Sequence, residues 1–406
     1  MDMQNKAKKL IEMIQTASVE WKPLGEVVPV SRGKRLVRSQ LQDNGQYPVY
    51  QNSLQPLGFY DDQNCRAYMT FVIAAGAAGE IGFSDIEFWA ADDCYYFDCP
   101  KEILHDKFLY YFLLSERHQL TSQIRKASVP RLGRVSIEKI KIPIPPLEIQ
   151  QKIVKILDKF TELEATLEAE LALRKRQYRY YRDFLLDFDN QIGGGIADGY
   201  KGRLKDVVWK TLGEVGTLIR GNGLQKKDFT EDGIPAIHYG QIYTQYGNQI
   251  TETISFVSPE LAEKLRKVDK GDVVITNTSE NIEDVGKALL YLGERQAVTG
   301  GHATIFKPGK EIIGKFFVHF TQTEIFNKAK RKFAKGTKVI DVSATDMAKI
   351  KIPIPPLSEQ EKITAILDKF DTLTHSISEG LPHEIALRRK QYEYYREQLL
   401  AFPKAA

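Results

Sequence analysis

The chain has 406 residues, 42% hydrophobic and 27% charged, enough for two or three globular domains. No apolar run reaches the ~18 residues that a membrane helix needs. Three cysteines, Cys65, Cys94 and Cys99, suit neither a disulfide framework nor a zinc site. The net charge of +4 permits a polyanionic partner without requiring one, so the distribution of charge matters more than its total.

Residues 1–20 read as an amphipathic, lysine-bearing helical segment. They lack an apolar core and a small-residue cleavage site, so the expectation is a cytoplasmic protein without a secretory signal. Residues 21–146 read as a mixed α/β module. Strand-like runs occupy Tyr68–Ala74 and Cys94–Phe97, and a short aromatic helix is expected at Phe108–Leu114. Residues 147–188 follow Pro143, Pro145 and Pro146, which impose an extended approach and cannot lie inside a helix. The spacing beyond them predicts a helix of about 40 residues, or ~60 Å, too long for one compact domain. Residues 189–208, with Gly193-Gly194-Gly195, read as a flexible linker. A second α/β module at 209–356 has a strand at Asp272–Thr276 and a helix at Phe316–Phe320. A final helical segment at 357–404 should kink or break at Gly380-Leu381-Pro382.

The second half repeats the first. Lys139–Leu147 and Lys349–Leu357 both read KIKIPIPPL, 210 positions apart, and Ile156–Phe160 and Ile366–Phe370 both read ILDKF at the same offset. Arg176–Arg182 (RQYRYYR) matches Lys390–Arg396 (KQYEYYR). Upstream, Trp21–Val27 (WKPLGEV) matches Trp209–Val215 (WKTLGEV) at an offset of 188. The stretch between the two motifs therefore differs by 22 residues between copies, and its sequence diverges almost completely. A variable and a constant module alternate twice, with a period far too long for a solenoid. The constant helices carry an apolar seam through Ile153, Ile156, Phe160, Leu163, Leu167, Tyr178 and Tyr181. The second copy continues it through Ile363, Ile366, Phe370, Leu373, Tyr392 and Tyr395. Each seam needs a partner, and the other copy supplies one.

Signatures of catalysis are missing from the sequence. It holds no phosphate-binding GxxxxGK[ST] loop and no Asn-Pro-Pro-Tyr or Asp-Pro-Pro-Tyr motif, and its seven histidines form no constellation. Ala75–Gly82 reads as a Gly-rich turn between strands, and His302 beside Gly300-Gly301 as a turn histidine. What remains is basic. Arg32, Lys34, Arg35 and Arg38 surround Gly33, and Lys226 and Lys227 follow Gly221 and Gly223. Thr121–Ile140 holds five basic residues against one acid, including Lys126, Arg131 and Arg134. Phe326–Ile340 holds six and no acid, among them Lys330, Arg331, Lys335 and Lys338. Loops of this kind suit phosphate contact and base-edge readout, and their recurrence at matching places in both modules favours DNA contact over a merely solvated surface.

Two divergent modules alternating with helical repeats that open IPIPPL and close on RQYRYYR or KQYEYYR resemble the specificity subunit of type I restriction–modification systems. The resemblance covers essentially the whole chain. It implies an α+β fold: two globular α/β target recognition domains separated by two long helices in an antiparallel coiled coil, with an internal pseudo-two-fold repeat. Each recognition domain would read half of a bipartite sequence on double-stranded DNA. The helices would fix the unread spacer and dock two methyltransferase subunits that modify adenine at N6. Restriction–translocase subunits would join through these. The chain itself would carry no cofactor, metal or catalysis, while its partners would use S-adenosylmethionine, ATP and Mg2+. Glu164–Leu167 (EATL) and Glu168–Leu171 (EAEL) are similar to the four-residue repeats of a family subgroup. From the residues alone, a stand-alone DNA-binding regulator or scaffold, or the recognition part of a fused methyltransferase or nuclease, stays open.

Overall fold

The computed structural model describes residues 3–16, 19–125, 128–188, 207–376 and 378–403. Of the expected linker at 189–208, residues 189–206 lie outside them, and Val208 already opens a strand, Val208–Thr211. The chain forms two compact units. The first combines Met1–Leu167 with Ile385–Ala406, and the second is Glu168–Glu384.

The motifs that bracket each variable module pair with each other. In the first unit Glu20–Pro23 runs antiparallel to Lys141–Ile144, with Trp21 opposite Pro143. In the second, Val208–Thr211 pairs with Lys351–Ile354, and Trp209 faces Pro353. A two-stranded ribbon tolerates prolines because its outer edge needs no donor. Leu24 N–H then donates to Ile140 at 2.7 Å, as Leu212 N–H does to Ile350 at 2.9 Å. Each variable module therefore begins and ends on one ribbon.

In the first module a four-stranded antiparallel sheet runs in the order Val30–Arg32, Cys94–Phe97, Met69–Ile73, Ile81–Ser84. A smaller sheet of Tyr47–Tyr50, Gly58–Tyr60 and Trp89–Ala90 lies beside it in sequence and shares no strand with it. All five residues of Met69–Ile73 are buried, which explains why this strand reads as a continuous apolar run and not as an alternation. The helix Asp106–Ser115 places Phe108, Leu109 and Phe112 in the core. The second module holds a five-stranded sheet in the order Gly216–Arg220, Ala303–Pro308, Val273–Thr276, Ala288–Tyr291, Gln249–Ile250. A second, four-stranded sheet and the helix Gly314–Thr321 complete it. All three cysteines are free and buried. Burial pushes the Cys65 thiol up to about 12, so it stays protonated and inert.

The helix Leu147–Leu186 spans 40 residues. In the first unit its Ile153, Ile156, Leu157 and Phe160 join the core of the recognition module. Phe160 also stacks on Tyr395, centroids 5.2 Å apart, and Glu164 pairs with Arg389. Partner numbers fall as helix numbers rise, so the two segments are antiparallel. In the second unit Tyr181 stacks on Phe370 at 5.5 Å, and Tyr178 stacks on Phe370 and meets His375 edge-on. The C-terminal helical region is two helices, Leu357–His375 and Gly380–Leu400. Gly380 at φ +74° restarts the chain, in the left-handed region that favours glycine.

The apolar stripe is wider than a two-position seam. Leu157 and Leu367 are fully buried, although neither fits the heptad reading. Leu163, Leu167, Ile366, Leu373, Tyr181 and Tyr392 are only partly buried. These helices cover a recognition module as well as each other, and such a helix needs a broad apolar face.

A buried glutamine and a partly exposed aspartate tie each conserved helix to its module. Gln150 Oε1 accepts from His105 N–H at 2.8 Å, and its Nε2 donates to Ile103 and Pro145 carbonyls at 2.9 and 2.8 Å. Gln360, 210 positions on, accepts from Ile313 N–H at 2.9 Å and donates to Glu311 and Pro355, both at 2.8 Å. About two helical turns beyond, Asp158 accepts from Tyr111 at 2.6 Å and pairs with Lys107 at 2.9 Å. Its counterpart Asp368 lies 3.0 Å from His319 Nε2 and accepts from Lys315 at 2.8 Å.

Candidate nucleic-acid interface

The first module gathers basic residues that lie far apart in sequence. Strand Val30–Arg32 ends on Arg32, the loop that follows carries Arg35, and Arg38 opens the short turn Arg38–Gln40. Arg131 arrives from the far end of the module. Arg32, Arg35, Arg38 and Arg131 line one cleft of about 460 Å³, with Asp92 and Asp93 in its wall. Arg32, Arg125 and Arg131 line an adjoining hollow of about 450 Å³. Arg32 is held by its Nε–H, which donates to the Asp92 carbonyl at 2.6 Å. Anchoring Nε leaves the two Nη groups as a planar pair of donors, the arrangement that recognises phosphate or a guanine edge.

The other basic residues of this module are placed differently. Lys34 is exposed and does not line the cleft; its carbonyl accepts from the Trp89 indole at 2.9 Å. Arg134 sits in the short helix Arg134–Glu138 and is ion-paired with Glu138 at 2.6 Å. Lys126 lies outside the described residues.

In the second module Lys226 and Lys227 are exposed in a single turn, Lys226–Asp228. Burial, then the Lys226 charge, pushes the His238 imidazole down. Arg331 lies 3.5 Å from Glu283, Lys335 binds Asp346 at 3.0 Å, and Lys338 is exposed on the following loop. Hydrogen bonds from Lys349, Lys335 and Ser343 hold the Asp346 carboxyl well below the usual carboxylate range. Lys330, which the sequence groups with this basic run, turns inward. It is 2% exposed and donates to the carbonyls of Glu283 and Val285. Burial lowers its ammonium to about 8, so it is a core residue and not a surface contact. The His302 ring lies 2.8 Å from Thr278 Oγ1 and 4.9 Å from the Tyr239 ring, a local partnership within the fold.

Sequence reading missed Arg220. It ends strand Gly216–Arg220 as Arg32 ends Val30–Arg32, and it lies at the 188-residue offset already set by the WKxLGEV motif. Carrying that offset five residues past Val215 would have found it. Its Nε–H donates to the Gly301 carbonyl at 2.9 Å, and Nη2 reaches Asp341 at 3.2 Å. The described residues hold no group of three or more histidine, cysteine or acidic side chains able to bind a metal. No helix among them is long and apolar enough to cross a membrane.

Comparison with known proteins agrees with this geometry. The family model described as the type I restriction modification DNA specificity domain matches twice, at residues 18–173 and 205–387. The chain is 32% identical over 434 residues to the specificity subunit of the EcoR124I/EcoR124II type I restriction enzymes of Escherichia coli, covering 97% of each. A putative type I restriction enzyme specificity subunit from Haemophilus influenzae is 30% identical over 416 residues, covering 98% of this chain and all of the relative. Among solved structures, the type I restriction–modification S subunit from M. genitalium shares the fold. Its TM-score is 0.61 at 18% identity, with 96% of this chain and 98% of that one covered. A chain from a structural study of type I complex assembly gives 0.60 at 14% identity, with 95% and 99% covered.

The fold and the paired modules define a two-domain DNA-recognition protein. The chain belongs to the type I restriction–modification specificity subunits, the non-catalytic components that confer DNA-sequence recognition on their complexes.

Proposed function

We propose that each recognition module, residues 21–146 and 209–356, reads one half of a bipartite DNA target. The observation that carries this reading is the convergence of Arg32, Arg35, Arg38 and Arg131 on one cleft, within a frame that the second module repeats. Lys34 extends the basic surface of the first module, and Lys126, outside the described residues, is a further candidate DNA contact. Lys226, Lys227, Arg331, Lys335 and Lys338 supply that of the second, while Arg134 serves its own helix. Two modules in one chain make half-site spacing a geometric quantity. The conserved helices, 147–188 and 357–404, set that spacing and offer two equivalent docking surfaces for two N6-adenine methyltransferase subunits. Restriction–translocase subunits then join through the methyltransferases. S-adenosylmethionine, ATP and Mg2+ belong to those partners, and the assembly works in the cytoplasm.

The test is reconstitution of the full chain with its cognate methyltransferase subunits, followed by mapping of N6-methyladenine on genomic DNA. A bipartite motif with a fixed spacer is expected. Duplicating Glu168–Leu171 adds ~6 Å of helix and should lengthen the spacer by one or two base pairs, at roughly 3.4 Å each. A continuous target, or an unchanged spacer, would overturn the respective half of the proposal.

A further inference from the structure

The two modules share a local frame around Arg32 and Arg220 that their sequences conceal. Arg32 faces Tyr95 across its strand pair, and Arg220 faces Thr304. Each arginine bonds through Nε to the carbonyl three residues before that partner, Asp92 in one case and Gly301 in the other. The following glycine donates to the residue just before the partner, Gly33 to Cys94 and Gly221 to Ala303, both at 2.9 Å. A side chain on either glycine would collide with backbone, lying 2.1 Å from the Ala91 oxygen or 2.2 Å from the Gly300 oxygen. An Arg-Gly pair is thus built into both sheets by the same four contacts.

A second segment reaches both arginines in the same way. Arg125 and Arg131 exchange backbone hydrogen bonds at 2.9 and 3.3 Å, as Lys335 and Asp341 do at 3.0 and 2.8 Å. The residue after each closes onto the neighbouring strand's exit, Leu132 to Ala74 and Val342 to Asn277. The offset is again 210, so Arg131 and Asp341 are structural equivalents. They differ in charge. Arg131 lines the cleft with Arg32, whereas Asp341 accepts a hydrogen bond from Arg220. The Arg220 and Asp341 side chains are 45% and 34% exposed, so the pair remains open to a ligand.

We infer that Arg220 and Asp341 form a donor–acceptor pair that reads a base edge, and that position 131/341 decides what each module accepts there. The inference rests on the DNA-reading function proposed above. A fixed guanidinium supplies donors to ring-nitrogen or carbonyl acceptors. A carboxylate accepts from an exocyclic amino group. The pair together fits an edge that offers both, either adenine (N7 with its 6-amino group) or a guanine–cytosine pair. The first module, with two arginines in the equivalent places, accepts only an edge or phosphate rich in acceptors. A carboxylate facing DNA is repelled by phosphate unless it takes such a donor, so Asp341 favours a base over the backbone.

The experiment uses the full chain assembled with its methyltransferase subunits. Sequence preference is read from methylation of randomised half-sites, and affinity from binding across a salt series. Asp341→Asn keeps the shape but replaces one acceptor with a donor. It should change the accepted base at one position of one half-site and leave the other half-site untouched. Arg220→Ala should weaken binding to that same half-site by about tenfold or more, and Arg220→Lys, which lacks the planar fork, should not restore it. Thermal melting of each variant separates these effects from unfolding, and Asp341→Asn, close to isosteric, stays informative if Arg220→Ala does not fold. An unaltered half-site with affinity within twofold of wild type overturns the inference. So does a uniform loss across all sequences with a shallower salt dependence, the mark of phosphate contact. If the wild-type complex itself shows no bipartite preference, the underlying function fails instead.

Discussion

The first and second recognition modules carry nearly unrelated sequences and differ by 22 residues in length, yet their load paths coincide. Both are closed by a Trp-Lys strand on a Lys-Ile-Pro-Ile strand. Both are pinned to a conserved helix by one buried glutamine and one aspartate. Both hold an arginine at a strand end by the same carbonyl contact. What differs is placed on this frame and not in it: Tyr111 against His319 on the aspartate, Ile124 against Lys330 beside a left-handed glycine, Arg131 against Asp341 at the surface. Identity of frame with divergence of decoration is what a protein needs if it must read different sequences while presenting constant helices to its partners.

The strongest way to break the comparison is at the glutamines. Replacing Gln360 with Leu removes three hydrogen bonds and leaves the Ile313 N–H without its acceptor. A loss of ~3 kcal/mol in unfolding free energy is expected, and Gln150→Leu should cost the first unit about as much. Denaturant titration with local fluorescence or hydrogen exchange would measure both. A large loss in one unit and none in the other would show that the shared frame is not shared energetically.

Lys330 sharpens the comparison, because its stem packs on Gly286, which donates to the end of strand Val273–Thr276 as Gly79 does to the end of Met69–Ile73, and there the first module packs Ile124 instead. Its amine titrates near 8 when folded and near 10.5 in the unfolded chain. The unfolded state therefore binds more protons between these values, and stability attributable to Lys330 rises with pH through that window. Below pH 8 the buried charge is a full penalty. Lys330→Leu should thus stabilise the protein by ~2 kcal/mol at pH 7, with the advantage shrinking towards pH 10. Equal melting shifts at pH 7 and pH 9.5 would show that the ammonium is not the source of strain.

The smallest expected effect is at Arg134. Its exposed i,i+4 pair with Glu138 is worth at most ~0.5 kcal/mol. Arg134→Ala should leave both melting temperature and DNA affinity near wild type, whereas Arg131→Ala should reduce affinity for one half-site. Equal losses at the two positions would show that the whole basic run acts as one electrostatic surface.

Much of this architecture is legible in the sequence because identical strings do identical jobs. KIKIPIPPL and ILDKF locate both helices, and the Gly380-Leu381-Pro382 step marks the break between the last two. Strands such as Met69–Ile73 and Val273–Thr276 announce themselves through runs rich in β-branched and aromatic residues. That the two motifs of each module pair with each other is not legible, since pairing over more than a hundred residues leaves no local mark. Gln150 and Gln360 look like solvated helix residues, because nothing in a sequence distinguishes a polar side chain aimed at water from one aimed at buried carbonyls. Lys330 fails in the opposite sense: it counts as surface charge until burial is known. Arg220 and Asp341 were within reach, for both offsets continue beyond the conserved strings, but divergence around them hides the register.

The ribbon that closes each module has a consequence for inheritance. Because a module leaves its scaffold and returns to it at one place, its interior can lengthen by 22 residues, or be replaced outright, without moving either helix. Crossovers between genes would need homology only in the short stretches that encode WKxLGEV and KIKIPIPPL. A lineage could therefore trade whole modules in one event and acquire a new target while keeping both helices of its scaffold unchanged.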